Sequence, residues 1–233
     1  DAADKHHVAV VKFAGDEIQK SIGNDTYRKD GKKYNYTQTV KGFTSDANQL
    51  KDAVNSLDAA GSTAADSAFE HVEAVLDSAD IYGARANATQ VVVFFTDGEP
   101  NHFSGWDGSV AGDAVNSANS LKSDGVTIYS IGMFSSADPE DTNNNFNKYM
   151  NAISSKYPDA EYKFEENWWG GGSWKFNLGT PADGDYYFAA NSSESLNNVF
   201  NNIATDIKES LAVNPDDDSV LSDTLSEFFD FPQ

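Results

Sequence analysis

No cysteine occurs in the 233 residues. That absence removes disulfides, thiolate metal ligands and cysteine nucleophiles at once. Basic residues are scarce too: 16 lysines and arginines stand against 37 aspartates and glutamates, giving a formal charge of −21 and a sequence pI near 4.2. A surface so acidic repels phosphate backbones and argues against nucleic acid as a partner. It is equally ill-suited to anionic membranes. No apolar run approaches the roughly 18 residues that a bilayer-spanning helix needs. No signal peptide or lipid-anchor motif is evident, so the sequence reads as a piece of a longer protein. Lack of cysteine together with strong acidity suits an exported bacterial surface protein. The sequons at Asn24, Asn35, Asn87 and Asn191 carry weight only in a eukaryotic source.

Catalytic signatures are lacking as well. His6, His7, His71 and His102 have no zinc-ligand spacing. No serine sits in a nucleophile elbow, and no glycine loop is built to cradle phosphate. The expectation is that the chain is not an enzyme.

What is present is alternation. Strand-like and helix-like segments follow one another, the pattern of an α/β domain with a largely parallel sheet. Val8-Ala-Val-Val-Lys-Phe13 is a short β-branched run. A polar stretch over about 16–37 leads to a weaker strand near Thr39–Phe43. Asp46 is placed to cap a helix through about Leu57, with Leu50, Val54 and Leu57 facing inward. A second helix runs to about Ala79, with Ala68, Val72 and Val75 inward. Val91-Val-Val-Phe-Phe95 is five consecutive apolar residues, which predicts a strand covered on both faces. Further elements are expected as helices at Val110–Ser123, Asn143–Ser155 and Glu194–Leu211, and as strands at Val126–Ile131 and Tyr186–Ala190. Residues 157–184 read as an insertion containing Trp168, Trp169 and Trp174. These tryptophans either roof a satellite core, the plainer reading, or present aromatic surface to a sugar or protein. One domain is expected over 1–213, and 214–233 as a linker or the start of a following domain; Asp216–Asp218 reads as solvated linker and Val220–Phe231 as its apolar lead-out.

Four pieces, in order, resemble the von Willebrand factor type A (VWA) family. Val8–Phe13 is similar to that family's second strand, and Val91-Val-Val-Phe-Phe-Thr-Asp-Gly98 to its fourth strand with the carboxylate motif that follows. Ala60-Gly-Ser-Thr63 stands where the family has a metal-linked threonine, and Tyr186–Ala190 with Leu196 and Phe200 resembles its last strand and helix. The resemblance covers roughly residues 5–211 and implies a Rossmann-like α/β fold, a mostly parallel central sheet with helices on both faces. It makes Thr63 and Asp97 metal-site residues, hard oxygen donors that suit Mg²⁺ or Mn²⁺ in preference to Ca²⁺. Taken as isolated motifs, Asp97 capping a turn and Thr63 capping a helix explain the same residues as well. The loops after the fourth and fifth strands, 98–108 and 133–142, are placed to choose a ligand, with Glu99, His102 and Trp106 facing it; a solvated loop histidine is the plainer reading of His102.

The family's Asp-x-Ser-x-Ser motif, which ends its first strand, has no counterpart in a usable place. Asp107-Gly-Ser109 and Asn191-Ser-Ser-Glu-Ser195 hold fragments of it in the wrong part of the fold. In the family's strand order, 3-2-1-4-5-6, the first strand is central. Without it, the facing edges of strands 2 and 4 become unpaired ladders. Each buried unsatisfied backbone group costs about 1–3 kcal/mol, against net stabilities of about 5–15 kcal/mol. The chain is therefore expected not to form the family structure alone, the missing strand coming from an upstream fragment or another chain. The resemblance is greatest to the tip adhesins of Gram-positive pili. It implies an extracellular, cell-wall-linked module that binds a host or matrix protein, or a glycan, through a metal, beside other pilin subunits. Rival implications are an intracellular assembly subunit working with a chelatase ATPase, and a stalk domain with an inactive metal site.

Overall fold

A computed structural model describes residues 6–212 except 167, 170 and 171. The expected linker at 214–233 lies outside the described residues. In chain order the elements are β1 (Val8–Lys12), β2 (Ile18–Gln19), β3 (Thr26–Lys29), β4 (Lys32–Asn35), β5 (Thr37–Thr44), α1 (Ala47–Asn55), α2 (Ala65–Asp77) and α3 (Ala79–Tyr82). There follow β6 (Val91–Thr96), α4 (Gly108–Ser123), β7 (Thr127–Gly132), α5 (Asn145–Ile153), β8 (Glu161–Glu166), β9 (Gly172–Asn177), β10 (Tyr187–Ala189) and α6 (Ser193–Ala212). The fold is α/β and Rossmann-like.

Helix starts follow local chemistry. Asp46 accepts hydrogen bonds from the N–H groups of Asn48 and Gln49. Asp107 does the same for Ser109 and Val110, and Asn144 for Phe146 and Asn147. Each satisfies donors that a helix leaves open at its first turn. At the far end of α5, Lys122 reaches over from α4 and donates to the carbonyls of Ala152, Ser154 and Tyr157 at 2.7, 3.2 and 2.7 Å.

The strands fall into two three-stranded sheets. In one, β6, β7 and β10 run parallel in the order β10-β7-β6. In the other, β5 is central, antiparallel to β1 and parallel to β2. The segment read as a weak strand is thus an eight-residue element whose Thr37, Gln38 and Thr39 are buried. The two expected insertions each contain a hairpin, β3–β4 and β8–β9.

Helices cover both faces. Phe69 of α2, Phe94 of β6 and Ala114, Val115 and Ala118 of α4 form the larger core with Tyr149 and Met150 of α5. Val199 and Ile203 of α6 pack on Tyr129 and Ile131 from β7. Ala68 and Val75 are buried as their helical spacing requires.

Between the sheets lies an opening. Among the described residues β1 pairs only with β5, and β6 only with β7. Their other edges line a cleft of about 2240 Å³. Phe13, just past β1, stacks on Phe94 at 5.1 Å and closes it on one side. This opening overturns two expectations. Val93 and Phe95 are 40% and 39% exposed although their strand was expected to be covered on both faces, and Val54 and Leu57 of the first helical segment are 48% and 37% exposed. All four line the cleft. These apolar side chains therefore stand in the open at the cleft instead of in a core.

Candidate functional site

The C-terminal end of β6 is where an open α/β sheet brings a ligand to a crevice. Thr96 closes the strand. Its hydroxyl accepts from the Gly98 N–H at 3.2 Å and donates to the Gly98 carbonyl at 3.0 Å. The turn is therefore held by Thr96, leaving the Asp97 carboxylate exposed at the cleft with no hydrogen bond to the described residues. Turn capping, the plain reading of Asp97, belongs to its neighbour.

Thr63 arrives from the other half of the molecule. Its backbone exchanges two hydrogen bonds with Asn101, at 3.1 and 2.9 Å, across an isolated antiparallel bridge. This clip, with the packing of α2 on α4, ties the two sheets together at one end. The helix that follows has Ala64 at its N-cap and no side chain capping it. The Thr63 hydroxyl is thus not spent on the helix either. It lies 2.9 Å from where a β-carbon on Gly98 would stand, which shows how closely Thr63 and the Asp97–Gly98 turn approach. Both residues line the cleft.

Around this pair the other expected site residues divide. Glu99 is exposed. His102 is half-buried and bonds both carboxylate oxygens of Asp66 at 3.0 Å, which anchors the loop to the first turn of α2. Trp106 packs edge-on against Tyr149 and Phe176, with centroids 6.0 and 6.2 Å away, so its ring serves the core beneath the loop. The serine-containing fragments are engaged at helix starts. Asp107 accepts from the Ser109 backbone and hydroxyl at 2.9 and 2.6 Å, and Ser192 and Ser195 bond one another at the head of α6.

Two residues missed in the sequence belong to the site. Asn101 is 8% exposed, lines the cleft, and its Oδ1 has no hydrogen-bond partner, while its Nδ2 donates to the Glu99 carbonyl at 2.6 Å. Phe103 is 68% exposed at the same end, with Lys29 Nζ 5.7 Å from its ring centroid. Neither carries a sequence signal beyond lying just after Asp97-Gly98.

A hydroxyl, a carboxylate and an orphaned amide oxygen are hard donors, the chemistry a small divalent cation takes. Among the described residues, no group of three or more histidines, cysteines, aspartates or glutamates converges as a metal site. The donor set fits Mg²⁺ or Mn²⁺ in kind but falls short of the near-octahedral shell Mg²⁺ demands; further oxygen donors must come from outside it.

Trp168 and Trp169 stand at the tip of the β8–β9 hairpin, 82% and 79% exposed, with centroids 3.9 Å apart. They roof nothing. The satellite core under the hairpin is built from Tyr162 and Phe176, 4.8 Å apart, with Trp106 beside Phe176.

No helix among the described residues is long and apolar enough to cross a membrane. Comparison with known sequences finds that the family model of the von Willebrand factor type A domain matches residues 2–170. Neither the curated proteins nor the solved structures yield a match.

Proposed function

Because the chain belongs to the von Willebrand factor type A domain family, we propose that it is a cell-surface adhesion module that binds its protein ligand through a divalent cation. The family supports a protein-interaction module in general; the metal and the adhesion are our reading. One observation carries it. The Thr63 hydroxyl lies against the Asp97–Gly98 turn at the C-terminal end of β6, with the turn held by Thr96 and no side chain capping the helix after Thr63, so neither side chain is engaged in a structural role there.

In this reading Thr63 and Asp97 hold Mg²⁺ or Mn²⁺, with Asn101 Oδ1 beside them. The remaining donors implied by the family resemblance, an Asp-x-Ser-x-Ser set, come from a segment outside the described residues. The cation when bound offers an open coordination position to a carboxylate of the ligand. The chain's own residues do the rest. The Thr63–Asn101 clip holds the hydroxyl at its station, Thr96 keeps the turn from using Asp97, and the His102–Asp66 pair fixes the loop. Glu99 and Phe103, both exposed on that loop, are the side chains that meet the ligand. The absence of cysteine and the charge of −21 support an exported, extracellular setting, and the resemblance to pilus-tip adhesins points to a host or matrix protein as partner.

Electron paramagnetic resonance of Mn²⁺ titrated into the chain tests the site. The wild type is expected to immobilise one ion, and Asp97→Ala and Thr63→Ala to weaken that binding at least tenfold with an unchanged circular dichroism spectrum. Equal binding by all three proteins would place the ion elsewhere and end the proposal.

A further inference from the structure

We infer that the β3–β4 hairpin, with Phe103 beside it, is a docking surface for an acidic peptide segment of a partner protein. The charges come first. Residues 26–35 hold four basic side chains, Arg28, Lys29, Lys32 and Lys33, against the single carboxylate of Asp30. A quarter of the chain's 16 lysines and arginines thus stand on one short hairpin of a molecule that is otherwise strongly acidic.

Their placement is held by the turn and works against the hairpin itself. Asp30 and Gly31, at φ 53° and 79°, form the two-residue turn that joins β3 to β4. The register it sets puts Arg28 opposite Lys33 and Lys29 opposite Lys32. Like charges directly across a strand pair repel, so both pairs weaken the ladder that they belong to. Lys29 is relieved by Asp16, at 2.5 Å, and by the ring of Phe103. Arg28, Lys32 and Lys33 are exposed and form no ion pair among the described residues. Three cations kept close together with no carboxylate to answer them call for anions from another molecule.

The hairpin is also fastened to the candidate site. Asn35 donates through its backbone N–H to the Ala60 carbonyl at 2.8 Å and through Nδ2 to the Asp58 carbonyl at 2.5 Å, on the segment that leads to Thr63. Tyr34 is buried there, and a β-carbon on Gly61 would stand 2.9 Å from its Cδ1. Lys29 and Lys32 share the hairpin face that meets Phe103, on the loop after Asp97. The exposed Phe103 ring among the cations suits a peptide, which carries apolar side chains between its carboxylates, over a sulfated glycan, which carries none. The overall charge of −21 does not forbid this. At about 0.15 M salt, charges beyond roughly 8 Å are screened, and contacts with the hairpin are shorter than that. The surface adjoins the site proposed above but needs no metal, so the two stand or fall separately.

Fluorescence anisotropy tests it on the whole chain in EDTA, where the metal site plays no part. The probe is a short labelled peptide of aspartates and glutamates around one phenylalanine, and the control replaces each carboxylate by its amide. The wild type is expected to bind the acidic peptide and not the amide form, with an affinity that falls as sodium chloride rises. Lys32→Glu/Lys33→Glu should bind at least tenfold more weakly while melting no lower, since each new carboxylate faces a cation across the hairpin. Lys163→Glu/Lys175→Glu, the same change of net charge on the exposed β8–β9 hairpin, should bind as the wild type does. If the first variant does not fold, Lys32→Gln/Lys33→Gln decides in its place. No binding, equal binding of the amide peptide, or equal loss in the two charge-reversed variants would each overturn the inference. So would tighter binding of a sulfated oligosaccharide, or a salt-sensitive dimer in sedimentation, which would assign the surface to a glycan or to a second copy.

Discussion

Two titratable side chains, half-buried Lys122 and buried His71, show how a residue's partners set its chemistry. Lys122 donates to three carbonyls around the end of α5, and burial pulls its pKa down from 10.5 to about 8. Between those values the unfolded chain keeps the proton and the folded one has lost it, so stability rises with pH across that window. Urea unfolding is expected to show this rise in the wild type and not in Lys122→Met. The variant should also be less stable, by about 1–3 kcal/mol, because buried carbonyls lose their donor. His71 acts in the same sense at lower pH. It is 2% exposed, bonds the Thr39 hydroxyl at 2.9 Å, and burial lowers its pKa. As pH falls through the ordinary histidine range the unfolded chain takes up a proton that folded His71 refuses, so stability falls. Replacing it in His71→Leu should flatten the unfolding midpoint between roughly pH 7 and 5, the span around the free histidine value; an unchanged slope would show that other groups set the acid limb.

At the scale of elements, apolar spacing located most helices well, with Asp46 the one cap read from the sequence. Asp46, Asp107 and Asn144 are local signals, since a side chain that bonds an N–H two or three residues ahead needs no tertiary partner. The strands were less legible. The run through Thr37–Thr44 looked weak because its buried residues are threonine and glutamine, satisfied by distant groups such as the Gly15 carbonyl and His71. The β8–β9 hairpin depends on a contact far away in sequence. A β-carbon at Gly112 of α4 would stand 2.0 Å from Tyr162 Cδ1, so only glycine lets the hairpin lie on that helix. Gly112→Leu is expected to detach it, with limited proteolysis cutting between residues 157 and 184 while the far-ultraviolet spectrum of the remaining helices persists. Retained protease resistance would mean that the hairpin can reseat elsewhere.

For the molecule as a whole, charge and the open cleft act together. A net −21 on a chain of this size repels itself, and salt screens that repulsion. The melting temperature should therefore climb as sodium chloride is raised from about 0.01 to 0.15 M, over which the screening length falls from about 30 to 8 Å. A flat profile in differential scanning fluorimetry would show that local ion pairs, such as Lys29 with Asp16, offset the field.

The sequence by itself determined the α/β class, the positions of most elements, the exclusion of thiol chemistry and the hard-oxygen character of Thr63 and Asp97. Each of these is written in residue type and short-range spacing. Only the tertiary structure decided which groups those side chains are left to serve. Thr96, and not Asp97, holds the turn; Trp106 is drawn into packing; Asn101 is buried with an unanswered oxygen; and Val93 and Phe95 face an opening instead of a neighbour. A side chain's partner is selected by segments that folding brings together from far along the chain, and no local pattern encodes which of them arrives.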